Sequence, residues 1–378
     1  MNSDTYLITG GAGFIGSDFV HILADERPSA KIVVLDKLTY AGNLMSISTL
    51  IESGRIVFVK GDIADKDLVK ELLEKYRPAY VINFAAESHV DRSVDDPTPF
   101  ISTNIDGTFN LLECCRRQRD AQISSGVEPA LKKFIQISTD EVYGDLEIGS
   151  PVAFGEEIVK ALGRGGIMYG EDSFVETTPL HPSSPYSAAK ASADMLAQSY
   201  YRSFGMPVNI TRCSNNYGPR QFPEKLIPLV INNILEGREL PVYGKGINVR
   251  DWIHVDDHCH GILAVADNGR PGEIYNFGGY SERQNIDIVR SLIREVGDIA
   301  GVEHGDELIR YVKDRPGHDR RYAINATKAM KELGWLPRYS FEEGLHDTVR
   351  WYLNNKPWVA ATLSGEYRKY YDKMYSNR

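Results

Sequence analysis

Two adjacent carboxylic acids, Asp140 and Glu141, stand where an apolar β-type run ends and a glycine turn begins, in the stretch ISTDEVYG. Successive side chains of a strand face opposite ways, but at a strand end this alternation relaxes, and both carboxyls could then reach one pocket. Two carboxyls in one pocket could act as a general acid and a general base. Taken alone, such a stretch is more often an acidic turn in contact with solvent, so the rest of the chain has to decide.

A tyrosine and a lysine form the second candidate pair. Tyr186 and Lys190 lie four residues apart at the start of a predicted helix, so they share one of its faces. A nearby ammonium favours the tyrosinate and lowers the tyrosine pKa from about 10, so Tyr186 could deprotonate a sugar hydroxyl as hydride leaves. The spacing is common by chance and gains meaning only after a dinucleotide-binding unit.

The N-terminal sequence predicts that unit. The run TYLIT is a short buried strand, and a turn with Gly10, Gly13 and Gly16 leads from it into a helical pattern. Glycines in such a turn let backbone N–H groups approach a pyrophosphate at the helix N-terminus. Asp36 ends the next strand, where an acid can bind the adenosine ribose hydroxyls and would repel a 2′-phosphate. We expect NAD rather than NADP, although Lys37 beside the ribose could tolerate the phosphate.

Strand and helix patterns alternate through the first half of the chain. Strands separated by helices imply a parallel sheet, whose ligands bind beyond the carboxyl ends of the strands. We therefore expect an α/β fold, a Rossmann-type doubly wound parallel sheet with a smaller mixed α/β C-terminal substrate-binding domain. The acidic stretch ends the fifth strand, which places it on the cofactor side of the sheet. The predicted strands are 5–9, 31–35, 56–59, 81–86, 134–138 and 208–212, and the helices nearest the site are 67–76 and 100–117.

Two irregular segments follow the acidic stretch. Residues 145–179 are rich in glycine and acids, with one short helix predicted at 156–162, and we interpret them as a surface excursion that could form a lid. Residues 213–228 combine amides, cations and an aromatic side chain, which makes them a candidate substrate loop.

Four positive groups could hold a diphosphate. They are Lys225, Arg250, Arg315 and His318, and the forked donors of arginine suit phosphate oxygens. The alternative interpretation is a solvated charged loop with internal ion pairs.

Composition excludes several classes of protein. The 378 residues carry a net charge of −9 and no long basic run, which argues against a nucleic-acid or anionic-membrane partner. No apolar run reaches the ~18 residues that span a bilayer, and the N-terminus lacks a signal-peptide pattern. Four cysteines without CxxC spacing favour a reduced cytoplasmic location. His258, Cys259 and His260 are interpreted as the start of a helix, and no metal is expected.

Several motifs together resemble those of the extended short-chain dehydrogenase/reductases. TGGAGFIG at 9–16 and YSAAK at 186–190 are typical of that superfamily as a whole. STDEVYG at 138–144 is similar to the sugar-nucleotide 4,6-dehydratases. SNNYGPRQFPEKLIP at 214–228 and DRPGHDRRYAI at 314–324 resemble the dTDP-glucose branch, and the similarity runs over nearly the whole chain.

Three places depart from the pattern of that family. Residues 145–179 are longer than expected and do not match it, and Asn325 stands where the family usually has Asp. Arg220 and Gln221 replace the commoner aromatic-histidine pair before Phe222. None of the three touches the acid and base positions.

The resemblance implies conversion of dTDP-glucose to its 4-keto-6-deoxy product and water, with enzyme-bound NAD. In that reaction Tyr186 takes the 4-OH proton and Lys190 holds the tyrosinate. Thr139 contacts the C4 oxygen. Glu141 removes the C5 proton, and Asp140 protonates the C6 hydroxyl so that water leaves. Because Asp140 must stay protonated while Glu141 does not, we expect Asp140 to be the drier carboxyl.

Other functions stay open at this point. A sugar-nucleotide 4-epimerase shares the Tyr-x-x-x-Lys pair but needs no acid and base for elimination. A sugar-nucleotide decarboxylase, a dehydratase of another nucleotide hexose and a non-catalytic NAD sensor are further alternatives. The thymidine base is implied by the resemblance alone.

The resemblance also assigns binding residues, domains and an assembly. The NAD-binding domain is expected at 1–214 with 252–280, the sugar-nucleotide-binding domain at 215–251 with 281–378, and a homodimer through helices near 104–118 and 187–204. The residues expected to bind the cofactor are Gly10, Gly13, Phe14, Ile15, Gly16, Asp36, Lys37, Leu38, Thr39, Asp62, Ile63, Phe84, Ala85, Ala86, Ser88, Thr103, Tyr186, Lys190 and Asn216. The residues expected to bind the substrate are Ser88, His89, Thr139, Asn215, Lys225, Leu226, Pro241, Tyr243, Arg250, Asn285, Arg315 and His318.

Overall fold

A seven-stranded parallel sheet forms the centre of the computed structural model, which describes residues 4–314 and 317–363. The strands, in chain order, are β1 (Thr5–Thr9), β2 (Lys31–Asp36), β3 (Ile56–Lys60), β4 (Tyr80–Asn83), β5 (Lys133–Thr139), β6 (Pro151–Ala153), β7 (Ile167–Tyr169), β8 (Val208–Cys213), β9 (Asn215–Tyr217), β10 (Leu240–Tyr243), β11 (Val249–His254), β12 (Ile274–Phe277), β13 (Glu282–Gln284) and β14 (Ile309–Val312).

Helices cover both faces of this sheet and build the C-terminal part. They are α1 (Phe14–Glu26), α2 (Ser48–Glu52), α3 (Lys66–Tyr76), α4 (Val90–Asp95), α5 (Thr98–Phe100), α6 (Thr108–Ser124), α7 (Glu156–Leu162), α8 (Pro185–Phe204), α9 (Leu226–Leu235), α10 (Val255–Asn268), α11 (Asn285–Ala300), α12 (Thr327–Leu333), α13 (Phe341–Asn354) and α14 (Lys356–Thr362). A π-helical turn, Ile101–Gly107, leads into α6. None of the helices in the described part of the chain is long and apolar enough to cross a membrane.

The strand order of the large sheet is β3-β2-β1-β4-β5-β8-β12, and all neighbouring strands are parallel. Both faces of the middle strands are covered, so every residue of β5 and β8 is buried, including their polar side chains. Helices α1 and α10 contact each other on one side, and α6 contacts both α3 and α8 on the other. The predicted Rossmann-type fold is confirmed, and all seven carboxyl ends meet at one edge.

Two predicted boundaries differ in the structure. The fourth strand ends at Asn83 rather than at residue 86, and the buried Asn83 side chain accepts a hydrogen bond from the Thr9 hydroxyl at 2.6 Å and donates to Gln136 at 2.8 Å. The main chain then leaves the sheet. The predicted helix 100–117 likewise begins with the π-helical turn before it becomes α-helical.

A second unit packs beyond the carboxyl edge of the sheet. It contains the parallel pair β10–β14 and the three-stranded sheet β13-β11-β9. Ile231, Leu292 and Val349 join α9, α11 and α13 in a separate apolar core. Ala329 and Trp335, from the predicted C-terminal domain, pack in the core of the large sheet instead. The division at residue 214 therefore stays a prediction.

The predicted interpretation of the histidine-rich run agrees with the structure. His254 caps α10, and His258 and Cys259 are buried inside that helix. Among the described residues, no group of three or more His, Cys, Asp or Glu side chains could hold a metal ion.

Candidate active site

A cavity opens at the carboxyl edge of the sheet, where the glycine turn after β1 forms part of its wall. Gly10 has a left-handed backbone with φ +68°, and a Cβ on Gly16 would lie 2.2 Å from the carbonyl oxygen of Gly10. Only glycines allow this close turn. It delivers the chain into α1 at Phe14, so the N-terminus of that helix faces the cavity and suits a pyrophosphate.

Asp36 lies at the end of β2 beside this turn. Its carboxylate accepts hydrogen bonds from the backbone N–H groups of Ala12 at 2.9 Å and Leu38 at 2.7 Å, which fixes its position. Burial raises its pKa in spite of these bonds. The ammonium of Lys37, the argument for NADP, lies 2.6 Å from the Asp62 carboxylate. This ion pair supports the expectation of NAD.

Nearly all residues predicted to bind the cofactor lie around this one cavity. The exception is Leu38, which has a left-handed φ of 57° and packs against the core of the sheet. Those that line the cavity are Gly10, Gly13, Phe14, Ile15, Gly16, Asp36, Lys37, Thr39, Asp62, Ile63, Phe84, Ala85, Ala86, Ser88, Thr103, Tyr186, Lys190 and Asn216.

The two carboxyls follow β5 in a single 3₁₀ turn, Asp140–Tyr143, and both line the cavity. Thr139 caps the turn: its hydroxyl accepts from the N–H of Glu141 at 3.3 Å and donates to Asp140 Oδ1 at 3.2 Å. Asp140 is 2% exposed, whereas Glu141 is half-buried. Burial, and next the Glu141 carboxylate, raise the pKa of Asp140 well above its ordinary value. The prediction that Asp140 is the drier carboxyl is confirmed.

One carboxyl oxygen of Asp140 lacks a hydrogen-bond partner among the described residues. This atom, Oδ2, is buried. A buried polar atom without a partner costs free energy, so a hydroxyl of a bound ligand would be stabilised there.

A buried ion pair behind the turn was missed by sequence reasoning. The Ser138 hydroxyl and the Arg212 guanidinium both donate to Asp194 Oδ2, each at 2.9 Å. Arg212 also lies 4.7 Å from the ring of Tyr143, whose hydroxyl donates to Asn276 at 2.8 Å. These contacts join β5, α8, β8 and β12 and fix the main chain that carries the two carboxyls. No sequence pattern announces them, since the partners lie far apart in the chain.

The tyrosine and the lysine are brought to the same cavity by α8, which begins with a capping box at Ser184. The Lys190 ammonium donates to the main-chain carbonyl of Ile137. Burial and the Glu141 carboxylate raise the pKa of Tyr186 well above 10, and burial lowers the pKa of Lys190. The predicted lowering of the tyrosine pKa by Lys190 is therefore not seen in this structure, where burial and negative charge raise that pKa.

The residues predicted to bind the substrate are only partly brought together. Ser88, Thr139, Asn215 and Lys225 line the cavity, and the Lys225 ammonium donates to the Ser88 carbonyl at 2.9 Å. Arg315 lies outside the described residues. The remaining predicted residues do not line the cavity: His89, Leu226, Pro241, Tyr243, Arg250, Asn285 and His318.

Two of these residues meet in a separate cluster. The rings of Tyr243 and His318 lie 6.0 Å apart, edge to face. The Tyr243 hydroxyl donates to Asp91 at 3.1 Å, and His318 pairs with Asp314 at 2.6 Å. Two carboxylates, Asp91 and Asp314, therefore lie among the residues predicted to bind a diphosphate.

Arg250 is a buried part of the framework. Its guanidinium donates to the main-chain carbonyls of Val249 at 2.8 Å and Asp319 at 2.8 Å, and it lies 4.2 Å from the ring of Tyr322. Its charge also lowers the pKa of Asp140, against the effect of burial. The predicted grouping of four cations around a diphosphate is thus not seen for Arg250, whose donors bind main-chain oxygens.

Several residues that line the cavity were not predicted. Some of them belong to the loop 213–228, and the prediction of this segment as a substrate loop was the signal that could have identified them. The unpredicted polar and aromatic lining residues are Glu87, Ser138, Cys213, Ser214, Gln221, Phe222 and Glu224.

The excursion 145–179 lies away from the cavity. It forms the hairpin β6–β7 around α7, and the predicted helix 156–162 is confirmed. Glu282 accepts from the N–H of Tyr169 at 3.0 Å and pairs with the buried Arg321 at 2.7 Å. None of the described residues 145–179 lines the cavity, so the structure does not support the interpretation of this segment as a lid.

Comparisons with known proteins agree with this geometry. Residues 6–278 match the model of the NAD dependent epimerase/dehydratase family. A dTDP-glucose 4,6-dehydratase of Xanthomonas campestris is 49% identical over 96% of this chain and 97% of its own. The crystal structure of that enzyme from Bacillus anthracis, in complex with NAD, has a TM-score of 0.79 and 43% identity over 95% of this chain and 100% of the other.

A further solved structure is similar to the same extent. It is the dTDP-glucose 4,6-dehydratase of Streptomyces venezuelae with NAD and TYD bound, at a TM-score of 0.80 and 42% identity over 95% of this chain and 99% of the other. These comparisons confirm the resemblance to the dTDP-glucose 4,6-dehydratases that the sequence motifs indicated. The chain belongs to the NAD dependent epimerase/dehydratase family, and its similarity over nearly its whole length is to the dTDP-glucose 4,6-dehydratases.

Proposed function

We propose that the protein is a hydro-lyase that converts dTDP-glucose to dTDP-4-keto-6-deoxyglucose and water, with NAD as its bound cofactor. The observation that carries this proposal is the pairing of Asp140 and Glu141 in the cavity that Tyr186 and Lys190 also line. A 4-epimerase needs only the tyrosine and the lysine. The relatives named as dTDP-glucose 4,6-dehydratases support the choice of sugar nucleotide.

The first proton transfer is assigned to Tyr186, which takes the proton of the sugar 4-OH while Thr139 donates to the C4 oxygen. NAD⁺, when bound, supplies the hydride acceptor and a positive charge in the cavity that Tyr186 lines, and its reduced form returns the hydride. That positive charge opposes the effect of burial on the pKa of Tyr186 and favours the tyrosinate. Lys190, next to Tyr186 on α8, adds a second positive charge.

The elimination is assigned to the two carboxyls. Oxidation at C4 makes the C5 proton acidic, and Glu141 removes it as a base. Asp140 gives its proton to the C6 hydroxyl, which leaves as water, and the cycle ends when the hydride returns to C6 and a proton returns to C5. The raised pKa of Asp140 keeps this acid protonated, as the assignment requires.

The direct test is incubation of the purified protein with dTDP-, UDP-, GDP- and CDP-hexoses, followed by mass measurement. We expect dTDP-glucose to lose about 18 mass units, the mass of one water molecule, faster than the UDP-, GDP- and CDP-hexoses do. A change of stereochemistry at constant mass would establish the epimerase instead. Absence of turnover on all four nucleotides would favour the NAD sensor.

The variant Glu141→Gln separates dehydration from oxidation. Without the base, sugar oxidation and NADH formation continue, but we expect the release of water to slow by roughly 10²–10⁴-fold, the usual contribution of a general base. Stopped-flow absorbance at about 340 nm, where NADH absorbs, measures the oxidation, and the product mass measures the release of water. Elimination at the wild-type rate would refute the role of Glu141.

We also infer a cytoplasmic homodimer. Phe109 of α6 and Met195 of α8 are 48% and 57% exposed, and these large apolar side chains suit burial between two copies. All four cysteines are free and buried, which supports a reduced compartment. Light scattering should give twice the chain mass, and Met195→Glu should reduce it to the monomer mass. A monomeric wild-type protein would contradict the dimer.

A further inference from the structure

An ion pair joins helix α1, which follows the glycine turn, to the loop 213–228. The guanidinium of Arg220 donates to Asp18 Oδ1. Asp18 lies on α1, two residues after Gly16, and only 9% of it is exposed. The two partners are 202 residues apart in the chain.

Arg220 holds an unusual main-chain conformation to make this contact. Its φ is +65°, a left-handed value that a non-glycine residue adopts rarely, and such conformations persist where surrounding contacts enforce them. The guanidinium also lies 5.9 Å from the ring of Trp351 on α13. The carbonyl of the next residue, Gln221, accepts from the Tyr352 hydroxyl on the same helix. Helices α1 and α13 therefore converge on this turn.

The turn controls one side of the cavity. Gln221 lines the cavity, and its side chain donates to the main-chain carbonyl of Asn216 at 2.9 Å. Asn216 lines it too and is a predicted cofactor residue. Phe14 and Gly16 at the start of α1 line the same cavity. An ion pair between α1 and this loop thus joins two of the elements that line the cavity.

The far end of the loop is fastened separately. Glu224 accepts from Arg92 at 3.1 Å, and the ring of Phe222 meets Tyr40 edge to face at 5.6 Å. Lys225 donates to the Ser88 carbonyl. The loop is therefore held at two places. Arg220 binds it to α1, and residues 222–225 bind it to the chain around residues 40 and 88–92.

We propose that the Asp18–Arg220 ion pair is a clasp that keeps NAD bound between turnovers. The reaction returns its hydride to the sugar, so the cofactor ends each cycle in its starting state and has no chemical reason to leave. A loop fastened to α1 would slow its escape. This inference rests on the proposed use of NAD, but not on the identity of the sugar.

The test measures how fast bound NAD exchanges with labelled NAD, in the holoenzyme and without any sugar nucleotide. Arg220→Asn keeps a residue type that tolerates the left-handed backbone and removes the charge. Asp18→Asn keeps the shape and removes the other charge. We expect each to raise the rate of NAD dissociation about tenfold or more, a difference of about 1.4 kcal/mol in the barrier, and the double variant to add little to either. Arg220→Lys should fall between these variants and the wild type.

Arg77→Asn is the matched control. Arg77 is also a left-handed arginine, with φ 46° at the end of α3, but it is exposed and does not line the cavity. Its variant should release NAD at the wild-type rate. A second readout separates the clasp from a purely structural role, because added NAD should restore sugar turnover in Arg220→Asn, whereas the wild type should not depend on added NAD.

Two outcomes would overturn the proposal. One is an NAD dissociation rate within twofold of wild type in both Arg220→Asn and Asp18→Asn. The other is a loss of turnover that added NAD does not restore. If Arg220→Asn fails to fold, Asp18→Asn and Arg220→Lys decide the question by the same rates. A protein that holds NAD through the ion pair but releases no water from any nucleotide hexose would refute the proposed function and leave the clasp intact.

Discussion

The cavity has two walls that are built in different ways. One wall is the carboxyl edge of the parallel sheet with α8, where strands in register fix the chain around Thr139 and where Tyr186 follows a helix cap. The other wall is the part of the loop 213–228 that follows β9, which is held by side-chain contacts such as Arg92 with Glu224 and Lys225 with the Ser88 carbonyl. The first wall depends on main-chain hydrogen bonds and the second on individual side chains.

This difference suggests a division of labour. Proton transfer needs groups held to within a fraction of an ångström, and a sheet edge offers that precision. All residues assigned to chemistry, from Thr139 to Lys190, lie on the sheet wall. Recognition of a nucleotide sugar tolerates more adjustment, and the side-chain-fastened wall suits it. Substitutions on the first wall should therefore lower kcat, and those on the second should raise KM.

The largest effect is expected for Tyr186→Phe on the sheet wall. Removing the hydroxyl deletes the group assigned to the first proton transfer, so the rate of NADH formation should fall roughly 10²–10⁴-fold with little change in KM. Single-turnover absorbance measures it. Tyr201→Phe on the same helix, 40% exposed, is the control and should stay at the wild-type rate. An unchanged rate in Tyr186→Phe would remove chemistry from this wall.

A smaller effect of a different kind is expected for Arg250→Lys. A lysine cannot reach the carbonyls of Val249 and Asp319 while it also stacks on Tyr322, so the second unit should loosen. Losing about one such hydrogen bond should lower the free energy of unfolding by ~1.4 kcal/mol, and the kinetic change should appear as a rise in KM for the sugar nucleotide. Arg283→Lys, whose partner Glu342 is exposed, is the control. If kcat falls while KM holds, the division of labour fails.

The fold of the sheet wall could be predicted from sequence because its signals are local. Strand and helix patterns and the glycine turn follow from neighbouring residues, and the parallel topology then brings the strand ends together. Contacts such as Ser138 with Asp194 or Arg321 with Glu282 join distant positions, and no spacing reveals them. Arg250 shows the consequence: an arginine beside a charged loop looked like a phosphate ligand, although main-chain carbonyls bind its donors.

The next effect concerns stability and the pH at which it appears. Burial raises the pKa of Asp140 in the folded state above its unfolded value of about 3.9, so its contribution is complete below that value and is lost as the pH rises toward the folded pKa. Asp140→Asn should therefore have a higher Tm than wild type at pH 8, by about 2 °C or more, and an equal Tm near pH 4. Calorimetry of the NAD-bound proteins measures the difference.

Asp172→Asn is the control for that comparison, since Asp172 is an exposed carboxyl in the excursion. Its Tm should follow the wild type at both pH values. A stabilisation by Asp140→Asn that is equal at pH 4 and pH 8 would mean that the charge of this carboxyl is not the cause, and the acid role of Asp140 would lose its physical basis.

The smallest effect is expected for Arg164→Ala in the excursion, which belongs to neither wall. Arg164 donates to the Tyr339 carbonyl at 2.7 Å and fastens this segment to the chain before α13. Because no described residue of 145–179 lines the cavity, kcat/KM should stay within about twofold, while the free energy of unfolding falls by about 1 kcal/mol. Steady-state kinetics and urea unfolding check both. A tenfold loss of kcat/KM would show that the excursion reaches the substrate during turnover and acts as a third wall.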